Sequence, residues 1–177
     1  MFIEQDVVLP SKSFMYAFPS EIRDIAEIIF GAGCEAYVVG GAVRDLLLGR
    51  DFKDVDIVVD GDAMLLAERI SNRRGAKYFV MNDKHSTVRV LVRSESFGDY
   101  TIDISTIRHS ILTDLSQRDF TCNALAIPID SATQTWQVDQ IIDNSGGISD
   151  LSRKRLTALS EQSFREDPLR LVRAFRI

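Results

Sequence analysis

Few residues in this sequence could build a disulfide framework, a zinc centre or a membrane span. The two cysteines, Cys34 and Cys122, are too few and too far apart for either of the first two. Both sit in apolar sequence and read as buried thiols of a cytoplasmic protein. The two histidines, His85 and His109, have no partner at ligand spacing, so both read as structural or solvated, with no general-base role. No apolar run reaches the roughly 18–20 residues that a bilayer requires. The opening MFIEQDVVLP lacks the basic and apolar regions of a secretory signal, so neither export nor a membrane is expected. Positive charge is also short. With 21 Lys and Arg against 26 Asp and Glu the net charge is −5, whereas a nucleic-acid binder usually carries a basic footprint. Any RNA-gripping surface must lie elsewhere, or its positive charge must be local.

What is present suits a soluble α/β chain. The 177 residues suffice for one domain and the start of another, and 45% hydrophobic content can supply a core. Residues 1–18 read as irregular, broken by Pro10 and Pro19. Ser20 should cap a helix whose Ile22, Ile25, Ala26 and Ile29 follow helical spacing, with Glu21 and Asp24 in its first turn and Gly31 and Gly33 at its end. Ala36–Val39 reads as a strand, Val43–Leu48 as a short helix, Val55–Val59 as a buried strand, and Asp62 as the cap of a helix to about Ile70. Lys77–Met81, Thr87–Val92 and Tyr100–Ser105 are β-rich with short turns, an antiparallel pattern. A helix is expected over Asp114–Ala124 and a hairpin from Ala126–Ile129 and Thr135–Val138, in which Trp136 packs. Asp167-Pro168 opens a last helix, since proline suits a first helical position. That helix still has an uncovered apolar face at Ile177, so the sequence reads as a fragment.

The most informative stretch runs from Tyr37 to Val59. Asp54 and Asp56 flank Val55, and strand residues two apart share a face. The carboxylates therefore lie side by side, with Ile57 and Val59 expected to carry their face inward. Two adjacent negative charges need a counter-charge. Magnesium is the candidate, because it favours carboxylates plus substrate phosphates, and two ions could serve an in-line phosphoryl displacement. Asp103 alternates with Ile102 and Ile104, and a neighbouring antiparallel strand could bring it beside the pair as a third catalytic acid. Gly40-Gly41 ends a strand and opens a helix, where glycine lets backbone approach a ligand and N–H groups face phosphate. Arg44 could reach a triphosphate oxygen, and Asp45 could hold Arg44 or cap local N–H groups. The stretch is neither a Rossmann fingerprint nor a Walker loop.

Together these residues resemble a known family. Gly40-Gly-Ala-Val-Arg-Asp45 followed by Asp54-Val-Asp56 is similar to the opening motif of class II tRNA nucleotidyltransferases and bacterial poly(A) polymerases. Arg118-Asp-Phe-Thr-Cys-Asn-Ala-Leu-Ala126 resembles the family's Arg-Arg-Asp region, Ile142–Leu151 its Asp and Gly-Gly turn, and Glu166-Asp-Pro-Leu-Arg170 its nucleotide-selection motif. The resemblance implies a polymerase-β-like head, a mixed and mainly antiparallel sheet with flanking helices, followed by a helical neck. The division it implies is an extension over 1–19, a catalytic head over 20–150 and the start of the neck over 151–177.

It also implies roles. Asp54 and Asp56 would bind two magnesium ions, and Gly40, Gly41, Arg44, Asp45, Arg118, Asp119 and Asn123 would hold the nucleotide. Asp167 and Arg170, neighbours on one helix face, would read CTP and ATP by their Watson–Crick edges. The acceptor would be the tRNA 3′ end, gripped mainly by domains outside this chain. Arg173 and Arg176 could face RNA phosphate or water, and Arg153-Lys-Arg155 reads as a solvated basic run. Gln117 stands where the family has its first arginine. Only about a dozen residues separate Ile104-Ser-Thr106 from Gln117, where many CCA-adding members carry a longer loop; the short connection resembles members that add C residues alone. Poly(A) addition and a nucleotide-binding module without catalysis are the alternatives.

Overall fold

The computed structural model describes residues 16–82, 87–93, 98–107, 109–129 and 135–177; His85 and Pro10 lie outside them. In chain order the elements are β1 (Tyr16–Ala17), α1 (Ser20–Phe30), β2 (Ala36–Val39), α2 (Gly41–Leu47), β3 (Asp54–Val59), α3 (Ala63–Arg74), β4 (Lys77–Asn82), β5 (Thr87–Val92) and β6 (Tyr100–Thr106). There follow α4 (Ile111–Ser116), β7 (Ala126–Ile129), β8 (Thr135–Trp136), α5 (Gly147–Ser152), α6 (Glu161–Glu166) and α7 (Leu169–Arg173). Six strands form one mixed, mainly antiparallel sheet in the order β4-β5-β6-β3-β2-β7.

Alternation sorts that sheet into two faces. Val55, Ile57, Val59, Val88, Val90, Ile102 and Ile104 are almost wholly buried on one of them, under α1 and α3. α1 contributes Ile22, Ile25, Ala26 and Ile29, as its spacing predicts, although Pro19 rather than Ser20 is the cap and Ser20 the first helical residue. α3 starts on Asp62, whose side chain accepts from the N–H groups of Met64 at 2.9 Å and Leu65 at 3.1 Å. It runs past Ile70 to Gly75, which turns it off in the left-handed region at φ +64°.

The opposite face carries Asp54, Asp56 and Val58, and this corrects one expectation. Val58, not Ile57 or Val59, continues the face of the two acids. It packs with Val39, Leu115, Ala124 and Ala126, a small second core beneath α4. A second correction concerns β6, which runs parallel to β3 rather than antiparallel. The cause is topological. β3–α3–β4 is a crossover that returns the chain in its original direction, and the reversals into β5 and β6 restore it again.

Two further expectations fail. Ala126–Ile129 and Thr135–Trp136 make no hairpin: β7 pairs with β2, and β8 pairs with β1. Trp136 does pack, edge-on to Phe18 at 4.9 Å between ring centroids, and its Nε1 donates to the Pro128 carbonyl at 2.8 Å. The helix expected over 114–124 is instead α4, capped earlier by the Ser110 hydroxyl, and a separate 3-10 turn at Thr121–Asn123. Among the described residues no helix is long and apolar enough to cross a membrane.

α5 is set against that 3-10 turn by Asp150, whose Oδ2 accepts from Thr121 Oγ1 at 2.7 Å, and its first turn is capped by a second carboxylate. Asp143 accepts from the N–H groups of Ser145 at 3.2 Å, Gly147 at 2.9 Å and Ile148 at 2.9 Å. The Asp and Gly-Gly motif is therefore a structural joint. A Cβ on Gly147 would lie 2.3 Å from the Thr121 carbonyl oxygen, which is backbone and cannot step aside. Gly147→Ala is expected to destabilise the fold by about 1–3 kcal/mol, read as a lower urea midpoint at unchanged slope. An unchanged midpoint would show that α5 is not pinned there.

Candidate active site

β3 presents its two acids at the open part of the sheet: Asp54 is exposed and Asp56 half-buried. Register pairs Asp56 with Asp103 of β6, and Asp54 with Thr101. Three carboxylates thus share one face across two strands, as the alternation within 100–105 predicts. Their surroundings differ. Thr101 Oγ1 donates to Asp54 Oδ1 at 2.6 Å. Asp103 is clasped by Arg89 of β5, whose Nε and Nη2 each donate to one carboxylate oxygen at 2.7 Å. Asp103 is therefore neutralised in place, and Arg89 in turn holds its proton more tightly than usual because of that pairing. Asp56 has no such partner. Burial pushes its carboxyl above the ordinary value; Arg118 pulls it back, Asp103 pushes it up again, and Arg173 and Asp54 add smaller opposing effects.

The glycine turn abuts this acid. Gly40 has φ +75° and ψ −136°, and a Cβ there would lie 2.8 Å from Arg118 Nη1 and 3.3 Å from Asp56 Oδ2. Its own N–H is taken by the Leu125 carbonyl at 3.1 Å, so the N–H groups without partners inside α2 begin at Gly41. Arg118 is steered by α4, donating through Nε at 3.2 Å and Nη2 at 3.0 Å to Asp114. That leaves Nη1 on the Gly40 side, beside Asp56.

A buried polar chain lies behind. Arg44 gives Nε and Nη2 to Asp45, each at 2.9 Å, and Nη1 to Asn123 Oδ1 at 2.7 Å. Asn123 Nδ2 donates to Asp119 Oδ1 at 2.9 Å, and so does the Phe120 N–H at 2.9 Å. Arg44 is thus a scaffold side chain, held by Asp45 as one of the sequence alternatives has it. Asp119 is 3% exposed, and its second oxygen, Oδ2, accepts no hydrogen bond. Arg173 Nε lies 3.3 Å from that oxygen. The contact has the distance of an ion pair without the alignment of a hydrogen bond, so the oxygen's acceptor capacity is open.

Two clefts meet at Asp56. One, of about 690 Å³, is lined by Asp56, Arg118, Asp119, Asn123, Arg170 and Arg173, among others. The second, of about 360 Å³, runs past Arg44, Asp45, Lys53, Asp54 and Arg176. Arg170 enters the first cleft, where Nη1 donates to the Gln117 carbonyl at 2.9 Å. Asp167 ends α6 and does not line it; one of its oxygens accepts from the Leu169 N–H, and the other lies 3.8 Å from Arg170 Nε. Arg173 lines both clefts, and Arg176 lines the second. Sequence reasoning missed Arg89, Thr101 and Asp114. The first two had a signal, since each is a polar residue alternating with buried ones on a strand beside the acids.

Among the described residues no group of three or more His, Cys, Asp or Glu side chains is arranged to hold a metal ion. Asp54 and Asp56 nonetheless fit a hard divalent cation that takes its remaining ligands from a phosphate. Asp56 is a half-buried acid with Asp54 on its own face of the strand, a pair whose charge such a cation would offset.

The comparisons with known proteins agree with this geometry. Residues 36–157 match the poly A polymerase head domain family. The chain is 36% identical over 153 residues to the CC-adding tRNA nucleotidyltransferase of Geobacter sulfurreducens, covering 86% of this chain and 33% of that protein. Among solved structures it is similar to the Thermotoga maritima CCA-adding enzyme complexed with tRNA-CCA, with a TM-score of 0.74, 36% identity and coverage of 89% and 36%. It is equally similar to a CCA-adding enzyme in complex with CTP, with a TM-score of 0.74, 34% identity and coverage of 89% and 37%. The chain spans about a third of the length of each of these proteins.

Proposed function

This chain belongs to the poly A polymerase head domain family, and from that premise we propose that it is the catalytic head of an enzyme adding CMP, AMP or both to tRNA 3′ ends. The observation that carries the proposal is a convergence. Gly40 and Asp56 come from the opening motif and Arg118 from one more than 60 residues further on, yet a single Cβ position on Gly40 touches the other two. The division into an extension over 1–19, a head over 20–150 and the start of a neck over 151–177 belongs to the same proposal. So does a cytoplasmic setting, in keeping with two free thiols, Cys34 and Cys122.

In this reading the RNA 3′-hydroxyl attacks the α-phosphate of CTP or ATP. The new O–P bond forms as the bond to the β-phosphate oxygen breaks, and pyrophosphate leaves. Asp54 and Asp56 hold the divalent cations that the family's chemistry calls for, expected to be two magnesium ions. When bound, the ions neutralise phosphate charge and lower the pKa of the attacking hydroxyl. Arg118 Nη1, fixed by Asp114, is aimed at the phosphate side of the cleft. Asp119 Oδ2 offers an acceptor to a ribose hydroxyl. Arg170, near Asp167, offers a planar fork of donors to a base edge. Asp103, clasped by Arg89, acts on charge at Asp56 rather than as a free ligand. Catalysis then rests on positioning and electrostatics.

A narrower reading, addition of C residues alone, is favoured by one observation. β6 ends at Thr106 and α4 begins at Ile111, a separation much shorter than the long loop that the family resemblance associates with the switch to A. One assay tests both. The natural polypeptide carrying this chain is given tRNA lacking its 3′ end, with magnesium and each nucleotide in turn. Two added C residues are expected with CTP, and failure to add A afterwards supports the narrower reading. Repeated AMP addition to any RNA would move the assignment to poly(A) synthesis. No extension, with CTP and ATP bound no better than GTP, would sink the proposal.

A further inference from the structure

The sheet face that bears the acids continues beyond them, and its outer part is apolar and uncovered. Pairing places Phe79 of β4 opposite Arg89, Arg89 opposite Asp103, and Asp103 opposite Asp56. Phe79 is therefore in the same cross-strand row as the acid of the active site, three strands away, or about 14 Å. It is 51% exposed. Leu91, 39% exposed, is its diagonal neighbour on β5 and faces Lys77. Lys77, Leu91 and Arg93 border a cleft of about 510 Å³ that reaches Thr101, the residue bonded to Asp54. An exposed aromatic ring on a strand surface, with Lys77 on the same face and the Arg89–Asp103 pair leading from it to Asp56, has the chemistry of a single-strand nucleic-acid platform.

We propose that this outer strip, Phe79 and Leu91 flanked by Lys77 and Arg93, receives the unpaired 3′ end of the RNA acceptor, a base stacking on Phe79 while Lys77 and Arg93 face its phosphates. The inference rests on the nucleotidyl-transfer reading and adds to it the residues that seat the acceptor strand. It also meets the charge problem. In a chain of net charge −5 the cations that meet RNA must be local, and here Lys77 stands two residues before the ring on its face of β4, with Arg93 two residues beyond Leu91. The ring supplies attraction that salt does not screen.

The test uses this chain and a fluorescein-labelled single-stranded RNA ending in two C residues, titrated by anisotropy at low salt. Phe79→Ala is expected to weaken RNA binding about tenfold, with CTP affinity unchanged. Phe79→Trp should restore RNA binding, and its emission should be quenched by the RNA. That signal is separable because the natural tryptophan, Trp136, is buried and hydrogen-bonded. Phe30→Ala, which removes an equally exposed ring from the far end of α1, should change nothing. Equal RNA affinity in wild type and Phe79→Ala overturns the inference. So does equal loss of RNA and CTP affinity, which would mark a structural role, or a shift from dimer to monomer in sedimentation without loss of RNA binding, which would give the strip to a second copy. CTP binding is measured apart from RNA, so a failed platform is distinguishable from a failed nucleotidyl-transfer reading.

Discussion

Asp56→Asn is expected to slow nucleotide addition at least about a thousandfold while leaving the metal-free protein more stable at neutral pH. The two effects have one cause. The carboxylate is held against the glycine turn with Asp54 and Asp103 near it, and burial raises its pKa. The folded chain therefore binds that proton more tightly than the unfolded chain does. Well below the unfolded value both states are protonated, and the group makes no difference. As pH rises from the unfolded value to the folded one the penalty grows, because the fold must come to carry a charge it solvates poorly. Asparagine keeps the shape and removes the penalty, so thermal unfolding should move up at pH 7 and hardly at all in acid. The activity is lost because a cation-neutralised phosphate needs that charge. Several kcal/mol of transition-state stabilisation, at about 1.4 kcal/mol per factor of ten, gives the stated loss. Added magnesium with triphosphate should raise the unfolding temperature of the wild type and not of the variant. A fully active variant, or equal stabilisation of both by magnesium, would remove Asp56 from the metal site.

The parts of this arrangement that sequence revealed are those encoded by short-range periodicity. Asp54 and Asp56 were assignable to one face because residues two apart in a strand must share it. Asp103 was legible for the same reason, from its isoleucine neighbours. Asp62 marked the start of α3 through the side-chain hydrogen bonds that such a residue makes available, whereas the end of the helix lies at Gly75, beyond the expected Ile70. What was not legible depends on which strands become neighbours. The parallel pairing of β3 with β6 follows from a crossover, and no residue in either strand announces it. The clasp of Arg89 on Asp103 follows from that pairing and its extension into β5. The failed hairpin has the same origin: β7 finds β2, which precedes it by some 90 residues, in preference to its nearest β-rich segment. The broken helix near Asp114 was misread for another reason. The Phe120 N–H is instead taken by the buried Asp119 side chain of the preceding residue, a bond that a continuous helix would not allow.

Gly40→Ala is the substitution expected to damage function most without touching a charged group. Two independent costs apply. The backbone at φ +75° and ψ −136° is the mirror image of an extended strand, open to glycine and strained by roughly 1–3 kcal/mol for alanine. The new methyl would also press on Arg118 Nη1 at 2.8 Å and Asp56 Oδ2 at 3.3 Å, the side chains whose spacing matters. Relief must come from one of them. Arg118 is tied to Asp114 by two hydrogen bonds, so its movement breaks the geometry that aims it into the cleft. A displacement of about 1 Å at such a position can lower the rate about a hundredfold. Gly41 is the internal control. Its φ lies outside the left-handed region, and a Cβ there meets the Arg44 guanidinium at ordinary contact distance, Nη2 nearest at 3.5 Å. Gly41→Ala should therefore unfold at the same urea concentration as the wild type, whereas Gly40→Ala unfolds earlier and turns over slowly at saturating nucleotide. If both alanines were equally harmless, the close approach of Gly40 to Arg118 and Asp56 would not exist in solution, and the two motifs would not meet at one point.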